Sequence, residues 1–304
     1  MLIPTGNDLQ NPHLRALAQP DPWRWLAHIS GEWPIIAAYM VLAYAVDQVV
    51  AYVVAASVIG TRQHALGLLY HDGAHGLISR RKWLNDGLTI FCVGLPLGIP
   101  LAGYRQFHFR HHRCVGTVDD PELSHKRSLP QWTLPNSRGR IYGLMLFDLV
   151  GAGIPHIAFV IYLARPRQVW EGLLVPMFIA AVLWACWVTG LWWIPLMWWG
   201  GLLTTFWAVF RHRIWFEHVG TNQAHRFTAR RWERWLFFPY QSDHHWEHHL
   251  APGVPCHRLP AVRQLYPLAC PSGTADLFAH FSQSSAIASG HLSEVSLPPS
   301  PWST

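Results

Sequence analysis

Long apolar runs with few charges constrain this chain more than any other feature. Residues 172–189 and 191–210 form two such runs, and residues 33–70 form a third that carries only Asp47 and Arg62 as charged groups. The third run is long enough for two helices of about 20 residues, the length needed to cross a bilayer. The chain is 13% charged, against about a quarter in soluble domains. These observations predict an all-α polytopic membrane protein with about four transmembrane helices and a turn near Asp47.

Two other apolar stretches are poor candidates for spans. Residues 88–104 are short and contain Pro96 and Pro100, so they predict a partly inserted, re-entrant hairpin. Residues 141–164 contain Asp148, Gly151, Gly153 and Pro155, and they favour a helix at the membrane interface. Neither stretch is counted as a span.

The basic residues are distributed asymmetrically about the four predicted spans. The loops near Asp47 and Thr189-Gly190 contain no Lys or Arg. The positive-inside rule therefore places the opposite face in the cytoplasm. That face would carry a histidine-rich cap and most of the charges that give the chain a formal net charge of +6. Its basic residues include Arg80, Arg81, Lys82, Arg110, Arg113, Lys126, Arg127, Arg165, Arg167, Arg211, Arg213, Arg230, Arg231 and Arg234.

Composition divides the chain into three parts. Residues 1–32 contain Pro and Trp and predict an interfacial segment, in which PWRWLAHI lies flat at the membrane surface. Residues 33–270 form the membrane domain. Residues 271–304 are rich in Ser, Pro and Ala, and this composition predicts a disordered tail.

Histidines gather in three short motifs, each beside an apolar segment. Residues in each motif are three or four apart, so on a helix two or three imidazoles point to one side. Imidazole without thiolate suits iron, copper, zinc or nickel, and three such motifs together suit a multinuclear metal site. They are HDGAH with His71 and His75, HFRHH with His108, His111 and His112, and HWEHH with His245, His248 and His249, while His218 stands alone after the last apolar run.

On these residues the chain resembles the membrane fatty acid desaturase superfamily, which includes membrane hydroxylases and carotenoid ketolases. The family pattern is HxxxH, then HxxHH, then a late HxxHH, with one more histidine after the last span. The phrases HHRCVGTVDDPE and HHWEHHLAPGVPCHRLP are similar as well. Acyl-CoA desaturases have an asparagine four residues before the lone histidine, whereas this chain has Ile214.

The resemblance implies an oxygen-dependent oxidoreductase in which nine histidines hold two irons: His71, His75, His108, His111, His112, His218, His245, His248 and His249. Ligating imidazoles usually donate their second N–H to a nearby acceptor. The candidates for such supporting roles are Asp72, Glu217, Asp243 and Glu247, with His64 and His244 beside them and Asp119 and Asp120 after the second motif. The chain has no CxxC pair, haem-binding HPGG or nucleotide-binding fingerprint. A separate ferredoxin- or cytochrome-type donor with its reductase is therefore implied.

The leading hypothesis is a desaturase of lipid acyl chains. A hydroxylase, a ketolase or a desaturase of a small amino-acid-derived metabolite remains open within the same family. A membrane zinc hydrolase is the alternative from another class, but it would require HExxH, and the acid in HWEHH stands two places after His245. A metal transporter would require ionisable groups within the spans, where only Arg62 and His64 are near.

Overall fold

The computed structural model describes residues 12–122, 126, 129–267 and 272–283, and most of these residues are helical. Four helices are long and apolar enough to cross a membrane, which confirms the predicted all-α polytopic membrane fold. The helices are α1 (Pro12–Leu17), α2 (Pro22–Val46), α3 (Val49–His75), α4 (Lys82–Thr89), α5 (Leu101–Cys114), α6 (Arg138–Asp148), α7 (Ile154–Leu163), α8 (Val169–Val188), α9 (Trp193–Leu203), α10 (Thr205–His218), α11 (Arg231–Leu236), α12 (His245–Leu250), α13 (Leu259–Leu265) and α14 (Thr274–Gln283). Strands β1 (Phe227–Thr228) and β2 (Ser272–Gly273) pair in parallel.

The chain divides into two compact units. The membrane unit comprises residues 21–106 and 145–210, and the cap unit comprises the described residues of 1–20, 107–144 and 211–304. The four candidate spans are α2, α3, α8 and the run from Trp193 to His218, which contains α9 and α10.

The first two spans of the membrane unit meet at a turn, as predicted. Asp47 adopts φ 48° and its N–H bonds to the carbonyl of Ala43, which ends α2. Below the turn the two helices are joined by a buried ion pair, with Arg62 Nη1 3.6 Å from Glu32 Oε2. The indole of Trp25 donates to the carbonyl of Leu69 at 3.0 Å. The acid that pairs with Arg62 is therefore on the neighbouring span.

The first span begins at Pro22, earlier than the sequence analysis placed it. Asp21 caps this helix, since its Oδ1 accepts the N–H of Arg24 at 3.0 Å, and proline is well suited to a first turn. PWRWLAHI is thus the start of a continuous 25-residue helix and not a segment separate from the first span. Residues 1–11 of the predicted interfacial segment lie outside the described residues.

The stretch predicted to be a re-entrant hairpin is a broken helical pair. Helix α4 continues through a π-helical turn at Ile90–Gly94 to Leu97, and α5 then leaves at an angle of 94°. Gly98 occupies φ 72° at the break, a conformation that glycine adopts without steric cost. The 141–164 stretch is likewise divided, into α6 and the 10-residue helix α7.

The cap unit contains two segments that composition alone did not describe. Helix α1 buries Leu14 against Ala251 and Val254. Residues 272–283, assigned to a disordered tail by the sequence analysis, instead form β2 and α14. Phe278 and Phe281 of α14 are buried, so the prediction of disorder is wrong for this stretch. The remainder of that tail, 284–304, lies outside the described residues.

Candidate metal centre

His111 of the second motif is oriented by an acid. It lies near the C-terminal end of α5, and its Nδ1 is 2.9 Å from Oδ1 of Asp120. Both side chains are buried. Because the carboxylate accepts from Nδ1, the other ring nitrogen, Nε2, carries the lone pair in the neutral ring. That Nε2 is buried and has no hydrogen-bond partner in the described part of the chain.

His218 and His245 face each other through the same type of nitrogen. Nδ1 of His218 lies 2.7 Å from the carbonyl oxygen of Gln223, and a carbonyl oxygen can only accept. Nδ1 of His245 lies 3.3 Å from Oε1 of Glu217, an oxygen that already accepts a bond from Arg213. The proton of His218 therefore lies on Nδ1 and its Nε2 presents a lone pair, and an ionised Glu217 favours the same arrangement in His245. These two Nε2 atoms are 2.7 Å apart.

Four histidines of the cap unit thus converge on one place. One nitrogen each from His111, His218, His245 and His249 lies within 4.8 Å of the others, and Nε2 of His249 is 3.1 Å from Nε2 of His245. Lone pairs at this range repel one another unless a cation lies among them. The unsatisfied Nε2 of His111 and the facing acceptors of His218 and His245 fit a bound metal ion, and neutral imidazole is a common ligand of iron.

A second group of three histidines lies in the same unit. Nε2 of His112 is 3.0 Å from Nε2 of His108 and 3.0 Å from Nε2 of His248. All three rings are buried. Three ring nitrogens that converge in this way are again suited to binding one cation. The cap unit by itself therefore presents two sets of converging imidazoles.

The first motif lies at the end of α3 in the membrane unit. The rings of His71 and His75 have centroids 4.8 Å apart, as their four-residue spacing on a helix requires. Arg105 secures the backbone between them, since its guanidinium donates to the carbonyls of Gly73 and Ala74 at 3.2 and 2.7 Å. Arg105 also pairs with Asp86 at 2.8 Å. The start of α5, the helix of the second motif, is thereby bonded to the end of α3, the helix of the first.

Glu247 in the third motif and Asp243 just before it bind arginines and backbone. Asp243 accepts the N–H of Ala229 at 3.1 Å and the guanidinium of Arg234 at 2.8 Å, and it contacts Nδ1 of His244 at 3.2 Å. Glu247 accepts from two arginines at 2.8 Å. Burial opposes ionisation of Glu247, but hydrogen bonds and charge from these arginines outweigh it and lower the pKa of its carboxyl.

Burial keeps the imidazoles of His245 and His249 in the third motif neutral. Desolvation lowers the pKa of His245 and of His249 well below the ordinary value, and neighbouring histidines lower each further. A neutral ring has a lone pair available for a metal, whereas a protonated ring does not. The fold therefore holds these ligands in the protonation state that metal binding requires.

The other candidates from sequence have varied surroundings. Asp72 lies 4.0 Å from Nδ1 of His71. His64 is buried, with its ring edge-on to Phe206 and Phe210 at centroid distances of 6.2 and 6.3 Å. Asp119 is exposed whereas Asp120 is buried. Ile214, at the position of the asparagine in acyl-CoA desaturases, is 1% exposed and supplies no ligand atom.

Several supporting groups were not predicted from sequence. Glu122 lies 3.8 Å from Nδ1 of His111 and pairs with Lys126 at 2.8 Å. Burial opposes ionisation of Glu122, but Lys126 and the imidazoles lower the pKa of this carboxyl strongly. Glu122 follows the phrase TVDDP, whose two aspartates were the only acids considered there. The backbone carbonyl of Gln223, which accepts from His218, could not be predicted from sequence, because every residue has a backbone carbonyl.

Known proteins are similar in sequence to this chain. The profile of the family described as "Fatty acid desaturase" matches residues 47–279. An sn-1 acyl-lipid omega-3 desaturase (ferredoxin) of Synechocystis sp. is 28% identical over 53% of this chain and 42% of its own. One of the same name from Nostoc sp. is 33% identical over 29% of this chain and 25% of its own.

A human protein named sphingolipid delta(4)-desaturase/C4-monooxygenase is also similar. It is 29% identical over 34% of this chain and 33% of its own. The chain thus spans less than half the length of each of these three curated relatives.

Proposed function

We propose that this chain, which belongs to the fatty acid desaturase family, is an integral membrane desaturase that introduces a C=C bond into lipid acyl chains. The observation that carries the proposal is the convergence of His111, His218, His245 and His249, with ligand nitrogens within 4.8 Å of one another. These residues stand at the positions that the family reserves for iron-binding histidines. Lipid desaturases among the similar proteins support the substrate class.

We infer that two irons bind, held by nine imidazoles. His111, His218, His245 and His249 would hold one iron. His108, His112 and His248 would contribute to the other, and the family pattern assigns His71 and His75 to that second ion. Their pairing at the end of α3 supports the assignment, because two rings on one side of a helix can reach the same ion.

The bound irons would activate dioxygen, the oxidant, for removal of two hydrogens from unactivated C–H bonds on adjacent carbons. The chain's own residues hold and orient the ligands. Asp120 fixes the proton of His111 on Nδ1, and the carbonyl of Gln223 does the same for His218. Oε1 of Glu217 lies 3.3 Å from Nδ1 of His245. Supporting acceptors of this kind raise ligand basicity and fix ring orientation.

External electrons are required by the stoichiometry. Forming one alkene with one dioxygen consumes two electrons and two protons and releases two waters, and the substrate supplies the other two hydrogens. A ferredoxin-type donor with its reductase fits, since the Nostoc and Synechocystis proteins carry that donor in their names. The positive-inside distribution supports a cytoplasmic histidine cap, where exposed basic residues would attract an acidic donor.

Hydroxylation is the second candidate. The human relative is named both a desaturase and a monooxygenase, so one family site is associated with both outcomes. Ketolase chemistry and desaturation of a small amino-acid-derived metabolite would use the same ligand set. A zinc hydrolase would bind one zinc and would not require dioxygen.

The test is untargeted mass spectrometry of lipids and small metabolites from cells that express this chain with a ferredoxin and its reductase. The inactive control is His248→Ala, and the matched control is His13→Ala, which changes an exposed histidine outside the motifs. A lipid product two hydrogens lighter, made by the chain and by His13→Ala but not by His248→Ala, is expected. A product heavier by one oxygen would identify a hydroxylase.

Metal content separates the remaining classes. Two irons per chain are expected in the purified protein, and His248→Ala should lower that number. Folded protein that contains one zinc, or no iron after iron-supplemented growth, would refute the diiron proposal.

A further inference from the structure

The third motif, HWEHH, contains two residues that are not histidine. Trp246 is 7% exposed and Glu247 is fully buried, and they stand between the proposed ligands His245 and His248. Their helix, α12, has only six residues. A helix this short has no stability of its own in isolation, so its orientation must come from bonds to other parts of the fold.

Arg263 binds the carboxylate of Glu247 through two parallel hydrogen bonds. Its Nε donates to Oε1 at 2.8 Å and its Nη2 donates to Oε2 at 2.9 Å. Nη2 also donates to the carbonyl of Asp243 at 3.1 Å, and Nη1 reaches the hydroxyl of Thr228 at 3.1 Å. Bidentate pairs of this kind fix direction as well as distance. Arg263 belongs to α13 and thus joins α12 to α13 and β1.

Arg226 contacts both non-histidine residues of the third motif. Its Nε donates to Oε1 of Glu247 at 2.8 Å, and its guanidinium lies 4.9 Å from the ring centroid of Trp246. Its Nη2 donates to the carbonyls of Tyr266 and Arg263 at 2.8 and 3.2 Å. These carbonyls lie at the end of α13. Arg226 therefore joins α12 to α13, the helix that carries Arg263.

We propose that Arg226 and Arg263 are positioning residues for the metal centre. By binding Glu247 and packing on Trp246, they set the rotation of α12 about its own axis. That rotation decides whether the three imidazoles of α12 point to the metals. The sequence analysis assigned Glu247 to an imidazole, whereas its carboxylate binds two guanidiniums. The inference rests on the proposed metal-binding function and extends it to two residues outside the histidine motifs.

Metal retention tests the inference in the full-length purified protein. Arg263→Gln removes the bidentate pair and the charge, Arg263→Lys keeps the charge but cannot donate two parallel bonds, and Arg258→Gln is the matched control. Arg258 lies in the same segment and donates instead to the carbonyls of Leu17 and Gln19. Each protein is loaded with iron(II), challenged with a chelator series and assayed for retained iron.

We expect Arg263→Gln to lose iron at a chelator concentration about 10- to 100-fold lower than wild type, the range for groups that orient ligands. Arg263→Lys should be intermediate, and Arg258→Gln should match wild type. Cobalt(II) added to the metal-free protein gives a second readout. Its visible absorption reports ligand geometry and should change in Arg263→Gln.

Thermal unfolding of the metal-free proteins separates positioning from general stability. Wild-type retention and a wild-type cobalt spectrum in folded Arg263→Gln would overturn the inference and leave the diiron proposal intact. Equal iron loss in Arg258→Gln at an equal drop in melting temperature would also overturn it. If Arg263→Gln does not fold, the inference would be overturned by Arg263→Lys that retains iron as well as wild type does. Wild-type protein that binds neither metal would refute both proposals.

Discussion

Nε2 of His218 lies 2.7 Å from Nε2 of His245. The carbonyl of Gln223 holds the proton of His218 on Nδ1, and Oε1 of Glu217 lies 3.3 Å from Nδ1 of His245, where an ionised carboxylate favours the same arrangement. In that arrangement both Nε2 atoms carry lone pairs. Two lone pairs this close are unfavourable by themselves. The arrangement is explained if the fold is built around a cation that both rings bind.

Removing one of these rings should reduce metal content selectively. We expect His218→Ala to retain about one iron per chain instead of two, because the group of His108, His112 and His248 is untouched. His225→Ala is the control, since His225 is partly buried in the same segment but bonds to the carbonyl of Val219. Elemental analysis of purified protein gives the iron count. Full occupancy in His218→Ala would contradict the assignment.

The acid that orients His111 should matter far more than its neighbour. Asp120→Asn replaces the carboxylate on Nδ1 of His111 with a weaker acceptor, and we expect iron affinity to fall about 10- to 100-fold. Asp119→Asn is the matched control, because Asp119 is exposed. Competition with a chelator measures both. Equal affinities for the two variants would show that Asp120 does not support the ligand.

Acid should destabilise the metal-free protein through His225. Burial lowers the pKa of His225 to about 4, although its bond to the carbonyl of Val219 opposes part of the shift. Between pH 6.5 and 4 the unfolded state therefore binds a proton that the folded state does not, so stability falls as pH falls. The slope is about 1.4 kcal/mol per pH unit, or roughly 3 kcal/mol across this window.

Chemical unfolding in detergent between pH 7 and 4 measures this loss. His225→Gln keeps a donor for Val219 without a titrating ring and should lose less stability than wild type across the window. His13→Gln should follow wild type, because His13 is exposed. Parallel pH profiles for wild type and His225→Gln would refute the prediction.

The histidine motifs were predictable because their geometry is local. Spacing of three or four residues fixes which side of a helix the rings share, whatever the rest of the fold does. The four spans were predictable for a similar reason, since length and apolarity are properties of one segment. The partners of Glu247 were not, because Arg226 and Arg263 lie 21 and 16 residues away. Only the tertiary fold brings them together.

The C-terminal helix shows how averaging conceals a local signal. Serine and proline across 271–304 predicted disorder, yet Leu277, Phe278 and Phe281 are one and three residues apart and share a helical face. All three are buried. Phe281 lies against Trp215 of α10 at a centroid distance of 5.2 Å. A shorter window would have separated this amphipathic helix from the residues after it.

Close contact between two spans gives a further prediction. A Cβ at Gly60 of α3 would lie 2.6 Å from the carbonyl oxygen of Gly201 and 2.8 Å from the nitrogen of Phe206. Gly60→Ala should therefore destabilise the membrane unit by about 1–3 kcal/mol. Gly31→Ala is the control, since nothing lies within 4 Å of its Cβ, and it should be neutral or stabilising by up to about 1 kcal/mol. Similar melting temperatures in detergent for both variants would contradict this packing.

Backbone strain precedes the third motif, where Tyr240 and Gln241 adopt left-handed conformations with φ 52° and 63°. Such a conformation costs a non-glycine residue roughly 1–2 kcal/mol, and glycine recovers part of that while adding entropy to the unfolded chain. Gln241→Gly should therefore stabilise the protein by up to about 1 kcal/mol.

Ser242→Gly is the matched control, because Ser242 is not among the described residues with positive φ. Glycine there relieves no backbone strain and raises the conformational entropy of the unfolded chain. It should be destabilising. Thermal unfolding of the metal-free variants decides between them. An equal loss of stability in Gln241→Gly and Ser242→Gly would mean that the left-handed pair is not strained. A gain confined to Gln241→Gly would show that the chain keeps a strained backbone immediately before the residues that present His245, His248 and His249.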